Sequence, residues 1–391
     1  MKKVSILLMI IFLLFFPVSV KAEENDQVPQ LNLSAESAIL LEASTGKVIC
    51  EKEADSQKPP ASVTKIMTLL LIFEDLDQNK IKLEDSVTVT SHAASMGGSQ
   101  VFLEEGEVQT VDTLIKCIAV SSGNDAAVAM AEHLSGSEEA FVNRMNEKAK
   151  ELGMVNTHFV NCCGLDVDGH ITTARDIAMM SRELTTKYPD IFHYSSIWMD
   201  EFVHKTAKGE SVFGLSNTNK LIKYYPGCNG LKTGSTSKAK FCLSATATRN
   251  NISLIAVVMG CPDSKSRSAD VSTMFDYGFA NVEVYEDTDP LGEWKKADIS
   301  GGEKNSVGIH SAEKFAYTLL KTEEDKEIRK NVRILEEIKA PVKKNEIIGE
   351  IDYLMGEEVI GTIPIYASEE VKEKTYLFSI KTIWDQLRLD T

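Results

Sequence analysis

Ser62 and Lys65 stand three positions apart, a spacing that puts two side chains on one face of a helix, one turn from each other. A hydroxyl and an amine so placed suit covalent catalysis, with the amine taking the proton as the oxygen attacks an acyl carbon. No His or Asp is placed by sequence to serve as that base. Lys65 can serve only as a neutral amine, so its pKa must fall several units from about 10.4, and burial beside a second cation pushes it that way. Alone the pattern says little, because five Ser-x-x-Lys matches occur, at Ser44, Ser62, Ser235, Ser237 and Ser311. Ser62 is set apart by its company. Ser122-Gly123-Asn124 follows 60 residues on, and Lys232-Thr233-Gly234-Ser235 a further 110 residues on.

The three stretches make chemical sense as one site. Backbone N–H groups at a helix start are unpaired and can hold a developing oxyanion beside Ser62. Ser122 is placed to pass the proton to a leaving amine, and Asn124 to bind a substrate amide. Lys232, Thr233 and Ser235 supply positive charge and hydroxyls for a free carboxylate. Gly234 leaves a strand edge open, so an extended peptide can pair with it as an added strand. A carboxylate anchor beside an acylating serine points to cleavage near a C-terminus.

These stretches need elements to hold them. Residues 38–50 read as a hairpin with a turn at Gly46, and Pro59-Pro60 punctuates before a helix pattern that starts near Ser62. Apolar helices are predicted over 111–120, from Asp125 to about 134, after a Ser137 cap, and over 172–184. Residues 241–248 and 252–259 form an antiparallel pair around Asn250-Asn251. Strands at both ends with helices between them predict one α+β domain, an antiparallel sheet with a helical cluster against it, over residues 23–286. Period-two alternation in 331–335, 347–354 and 358–366 predicts a small all-β domain over 287–372. In the final segment, 373–391, Tyr376, Ile380, Ile383, Trp384 and Leu387 share one helical face, which either lies on a membrane surface or packs on the β-domain.

Composition narrows the class. Hydrophobic residues at 43% and charged residues at 26% are ordinary for a globular chain and exclude a mostly disordered one. A net charge of −16, with Lys and Arg scattered, argues against nucleic-acid binding. Residues 1–22 carry Lys2 and Lys3, an apolar run over 4–16, and Val20-Lys21-Ala22, the form of a cleaved export signal. The run is short of the roughly 20 residues that a spanning helix needs, an uncleaved anchor being the alternative. The protein is expected to work outside the cytoplasm. Its seven cysteines are odd in number and several lie in apolar runs, so buried free thiols are expected rather than a disulfide framework. No metal-ligand pattern is present, and neither metal nor cofactor is expected.

The three motifs resemble those of the penicillin-binding and serine β-lactamase superfamily, and most closely the low-molecular-mass serine D-Ala-D-Ala carboxypeptidases. The likeness runs through Pro60-Ala61-Ser62-Val63-Thr64-Lys65, Ser122-Gly123-Asn124-Asp125 and Gly230-Leu231-Lys232-Thr233-Gly234, and covers about residues 33–283. It implies a β-lactamase/transpeptidase-like domain followed by a C-terminal β-domain. It also implies Ser62 as acyl-ester nucleophile, Lys65 as base and Ser122 as relay. Lys232 and Thr233 would hold the terminal carboxylate of peptidoglycan stem peptides ending in D-Ala-D-Ala, and β-lactam antibiotics would acylate Ser62. Cys163 stands where relatives often carry His, and Ser235 where His or Tyr occurs. Arg267 reads as a surface charge, with a further carboxylate contact as the alternative. A class A β-lactamase would need a deacylating Glu within 156–170, where there is none. A wall-binding scaffold that kept the fold but lost the chemistry is the remaining rival, and the intact Ser62, Lys65 and Ser122 argue against it.

Overall fold

The structure, a computed structural model, describes residues 31–321, 327–380 and 384. The expected export signal lies outside the described residues, as do Ile383 and Leu387 of the terminal face. Strand β1 (Ser37–Glu42) turns through Gly46, at φ +76°, into β2 (Val48–Lys52), the hairpin expected. A 3₁₀ turn, Ala61–Thr64, then opens α1 (Lys65–Asp77). There follow β3 (Ser86–Thr88), α2 (Ser91–Ala94), β4 (Val108–Thr110), α3 (Val111–Ser121), α4 (Asn124–Ser135), α5 (Glu138–Glu151), α6 (Ala174–Lys187) and α7 (Ile191–Ser195). The helix starts have local causes. Thr110, Ser137 and Thr173 each accept an N–H from the first turn of α3, α5 and α6.

A hairpin of β5 (Met199–Thr206) and β6 (Gly209–Ser216) comes next, then the short α8 (Leu221–Tyr224). Three long strands complete the main sheet: β7 (Cys228–Thr236), β8 (Lys240–Arg249) and β9 (Ile252–Cys261). Its order is β2-β1-β9-β8-β7, antiparallel throughout, so the first and last strands of the domain lie side by side. Helix α9 (Ser264–Asn281) covers one face, burying Val271, Met274 and Phe275 with Leu40, Ala256 and Val258. The helical cluster covers the other, where Ile66, Leu70, Leu114, Val128 and Ile177 meet Ile39 and Val257. Apolar burial on both faces of this sheet is the main stabilising term. All seven cysteines are free and buried in these layers, as expected of small apolar thiols.

Helix α9 passes without a loop into β10 (Val282–Asp287), which crosses the expected boundary at 286/287. After β11 (Lys296–Asp298) and β12 (Ser306–His310), β13 (Phe315–Leu320) pairs with β10 along its whole length. β14 (Ile328–Ile334), β15 (Ile347–Met355) and β16 (Glu358–Ala367) join β11 and β12 in a five-stranded sheet ordered β11-β12-β16-β15-β14. Its core is Val307, Ile351, Tyr353, Ile365 and Ala367, with Phe315 stacked on Tyr353 at 3.7 Å between centroids. A buried joint ties the two parts together. The Glu42 carboxylate accepts from Ser44, Thr45 and Thr318, while the Lys47 amine donates to the Thr318 carbonyl at 3.1 Å.

Candidate active site

Ser62 sits in the 3₁₀ turn ahead of α1, not in the α-helix proper that the sequence pattern predicts there. The reason is Ala61, held at φ +49°, a left-handed conformation that costs a non-glycine residue about 1 kcal/mol. Three hydrogen bonds hold it there. The Thr64 hydroxyl donates to the Ala61 carbonyl at 2.8 Å, and His170 Nε2 lies 2.8 Å from that hydroxyl. His170 Nδ1 accepts the Val160 N–H at 2.9 Å, so the proton of the neutral ring sits on Nε2 and points at Thr64. Burial holds His170 neutral down to about 4.

That chain carries a pH prediction. Free imidazole titrates near 6.5, so between 6.5 and about 4 the unfolded chain takes up a proton that the folded one refuses. Stability from this site is complete above 6.5 and is lost as the pH falls to about 4, by roughly 3 kcal/mol. Urea unfolding at stepped pH should show the slope in the wild type and a flatter one in His170→Gln; equal slopes would refute the assignment.

Two glycines lie close against the turn. A Cβ on Gly164 would stand 1.9 Å from the Ala61 carbonyl oxygen, and one on Gly234 would stand 3.0 Å from the Ser62 nitrogen. Gly234 was expected to leave a strand edge open; its missing side chain also lets β7 lie flush against the Ala61–Thr64 turn. β7 is the edge strand of the sheet, so its outer side is unpaired among the described residues.

Lys65 is wholly buried. Its amine lies 3.1 Å from Ser62 Oγ, 2.6 Å from Asn124 Oδ1 and 2.7 Å from the Cys163 carbonyl. Two of these partners only accept. A neutral amine has two hydrogens and one lone pair, so both hydrogens go to the carbonyls and the lone pair faces the Ser62 hydroxyl. Burial likewise pulls the Lys65 pKa below its ordinary value. The Cys163 carbonyl is aimed by Asn161, whose Oδ1 accepts the N–H groups of Cys163, Gly164 and Leu165. The loop's two acids point elsewhere, Asp166 to Thr236 and Asp168 to Lys238.

The second motif sits where α3 ends and α4 begins. Ser122 is left-handed, at φ +63°, and is only 3% exposed, yet its hydroxyl has no hydrogen-bond partner among the described residues. A strained residue with a buried, idle hydroxyl is the pattern expected of a functional position. Asn124, expected to bind a substrate amide, spends its oxygen on Lys65 and one amide hydrogen on the Gly97 carbonyl at 2.6 Å. One N–H remains. Asp125 next to it takes the N–H groups of Val101 and Leu103, fixing the 97–103 segment to the site.

From β7, Lys232 is 1% exposed and donates to the Thr233 carbonyl at 3.0 Å. Burial depresses its pKa well below the usual amine value, with Lys65 and Arg267 adding repulsion. The Thr233 hydroxyl donates to Thr218 at 2.6 Å, and Ser235 is exposed beyond it. Arg267 corrects the reading from sequence. It is not a surface charge but 7% exposed in the first turn of α9, donating to the Cys242 carbonyl at 3.3 Å and leaving its Nε without a partner among the described residues. Helical spacing could not have found it, because it is buried by the strand packed above it, with its guanidinium over the Phe241 ring. Three basic side chains therefore converge on this cleft, with no carboxylate among their hydrogen-bond partners in the described residues.

A Ser–Lys pair at a helix start, a buried hydroxyl between helices and a lysine on an edge strand define a serine acyl-transfer enzyme of the penicillin-binding class. The D-alanyl-D-alanine carboxypeptidase family of peptidases, S11, matches residues 22–263, and the C-terminal domain of penicillin-binding protein 5 matches residues 279–373. D-alanyl-D-alanine carboxypeptidase DacF of Bacillus subtilis is 41% identical over 377 residues, 96% of each chain. DacA of Escherichia coli is 33% identical, over 90% of this chain and 87% of its own. The crystal structure of penicillin binding protein 5 from Haemophilus influenzae superposes with a TM-score of 0.74 at 30% identity, covering 88% of this chain and all of that one. The chain belongs to the S11 family of D-alanyl-D-alanine carboxypeptidases, serine hydrolases with this α+β fold and C-terminal β-domain. Among the described residues no helix is long and apolar enough to cross a membrane.

Proposed function

We propose that the protein removes the terminal D-alanine from peptidoglycan stem peptides through an acyl-enzyme on Ser62. The observation that carries this is the 3.1 Å approach of Lys65 to Ser62 Oγ with the other two bonds of that amine made to carbonyls. The donor peptide adds as a strand to the free edge of β7, its terminal carboxylate held by Lys232, Thr233 and Arg267. Guanidinium does not deprotonate, so Arg267 keeps the pocket positive whatever the state of Lys232. Lys65 takes the Ser62 proton as Oγ attacks the penultimate carbonyl, and Ser122 relays that proton from Lys65 to the departing D-alanine nitrogen as the C–N bond breaks. Water then hydrolyses the ester. A β-lactam presents a carboxylate and a strained amide in the same places, so it acylates the same oxygen.

Residues 1–22 are read as the export signal, 23–286 as the catalytic domain, 287–372 as the β-domain and 373–391 as a segment that either lies on the outer face of the cytoplasmic membrane or packs on the β-domain. The test of the reaction is mass spectrometry of a pentapeptide digest, expected to show free D-alanine and a tetrapeptide, with a penicillin adduct mapping to Ser62. An adduct on another residue, or release of any other fragment, would refute it. Arg267→Ala should raise KM roughly 10- to 100-fold for a donor with a free terminal carboxylate, the loss of one charged hydrogen bond, and leave an amidated donor unchanged. Equal effects on both donors would remove Arg267 from the carboxylate pocket.

A further inference from the structure

Phe102 is an exposed aromatic residue in a conformation that aromatic residues avoid. Its φ is +61° and 64% of its surface is exposed, while its neighbours Val101 and Leu103 are buried. A bulky side chain held left-handed and turned to solvent gains nothing for the fold, and such strain persists only where the surroundings impose it. They do so here. The N–H groups on either side of Phe102, from Val101 and Leu103, both bind the buried Asp125 carboxylate, at 3.0 and 3.1 Å. Upstream, the Ser99 carbonyl accepts the Asn124 N–H at 2.7 Å, and the Gly97 carbonyl accepts Asn124 Nδ2. The residue that orients Lys65 and the residue after it thus also fix the placement of Phe102.

Among the described residues the ring has one aromatic neighbour, Phe213 on β6, edge-on at 5.9 Å. Phe213 is itself backed by Phe202 at 5.7 Å and His204 at 5.6 Å. From Phe213 the chain runs five residues to Thr218, the partner of the Thr233 hydroxyl. Five residues span at most about 17 Å, which is also the length of an extended pentapeptide. The pair of rings therefore stands within reach of a donor peptide anchored at Thr233, several residues upstream of the cleaved bond.

We infer that Phe102, seated on Phe213, is an apolar platform for the part of the stem peptide upstream of its terminal D-alanine pair, where methyl and methylene groups lie against the rings. This rests on the carboxypeptidase reading and adds a length preference to it. A donor too short to reach Phe102 does not sense it, and neither does a β-lactam.

The test compares Phe102→Ala with the wild-type chain on a muramyl pentapeptide, an N-acetylated D-Ala-D-Ala dipeptide and benzylpenicillin. KM for the pentapeptide should rise five- to twentyfold at unchanged kcat, while the dipeptide and the penicillin acylation rate stay within twofold. Phe102→Tyr should keep the wild-type KM. Phe102→Gly should lose the long donor in the same way while its melting temperature holds or rises, since glycine relieves the φ. Equal losses on all three substrates, or no loss on the pentapeptide, would overturn the platform alone. Wild-type protein that takes up penicillin at Ser62 but frees D-alanine from neither peptide would overturn the reaction, and the platform with it.

Discussion

Lys65→Arg should leave at most about one thousandth of the wild-type rate of acylation by penicillin, in a protein that still folds. The amine is the only basic atom within hydrogen-bond reach of Ser62 Oγ among the described residues, at 3.1 Å. Arginine keeps a cation and a long stem but has no lone pair to offer at any working pH. The wild type carries a matching signature. Only the neutral amine accepts the proton, so the acylation rate should climb with pH until Lys65 is deprotonated and then level off. Because burial lowers that pKa, the plateau should arrive below the 10.5 of a free lysine. Stopped-flow acylation across pH measures both. A near-normal rate in Lys65→Arg, or a flat profile, would show that another group does the work.

Gly164→Ala is the second large effect, and a backbone one. The added methyl would lie 1.9 Å from the Ala61 carbonyl oxygen, on a residue at φ +90°. Neither partner is a side-chain tip that can swing away, so the Ala61–Thr64 turn itself must move. We expect a loss of about 3 kcal/mol or more in stability and at least a hundredfold loss in acylation, since a shift of about 1 Å in a nucleophile costs that much. Gly169→Ala is the control. Gly169 has a similar φ, +84°, but a Cβ there meets only Val160, at 4.0 Å. It should cost about 1 kcal/mol and leave acylation intact. If both variants behave alike, strain at φ and not the close approach explains Gly164.

Much of this was legible in the chain because the proposed chemistry uses short, contiguous stretches. Ser62 with Lys65, Ser122 with Asn124, and Lys232 with Thr233 each announce themselves by residue type and spacing. The β1–β2 and β8–β9 hairpins were marked by glycine and asparagine turns between apolar runs, and β14–β16 by alternation. What escaped reading depends on partners far away in sequence. His170 and Asn161 reach their roles only when the 156–170 loop folds over Ala61 and Lys65. Arg267 looks like any helix-surface charge until β8 lies across it. The β5–β6 hairpin was missed because its outward face carries Val203 and Val212, so its polar alternation is blurred. Ala61 could not be foreseen, because alanine gives no hint of a left-handed backbone.

The passage from α9 straight into β10 has a consequence for how the enzyme meets an insoluble polymer. Arg267 stands in the first turn of the helix whose last residue, Asn281, adjoins a strand held by β13, and Glu42 grips the same strand at Thr318. With no loop between them and hydrogen bonds across the joint, we expect the cutting edge and its pedestal to turn as one piece. The enzyme then cannot swivel to follow a strand of wall material lying askew; the substrate's own limp peptides must do the searching.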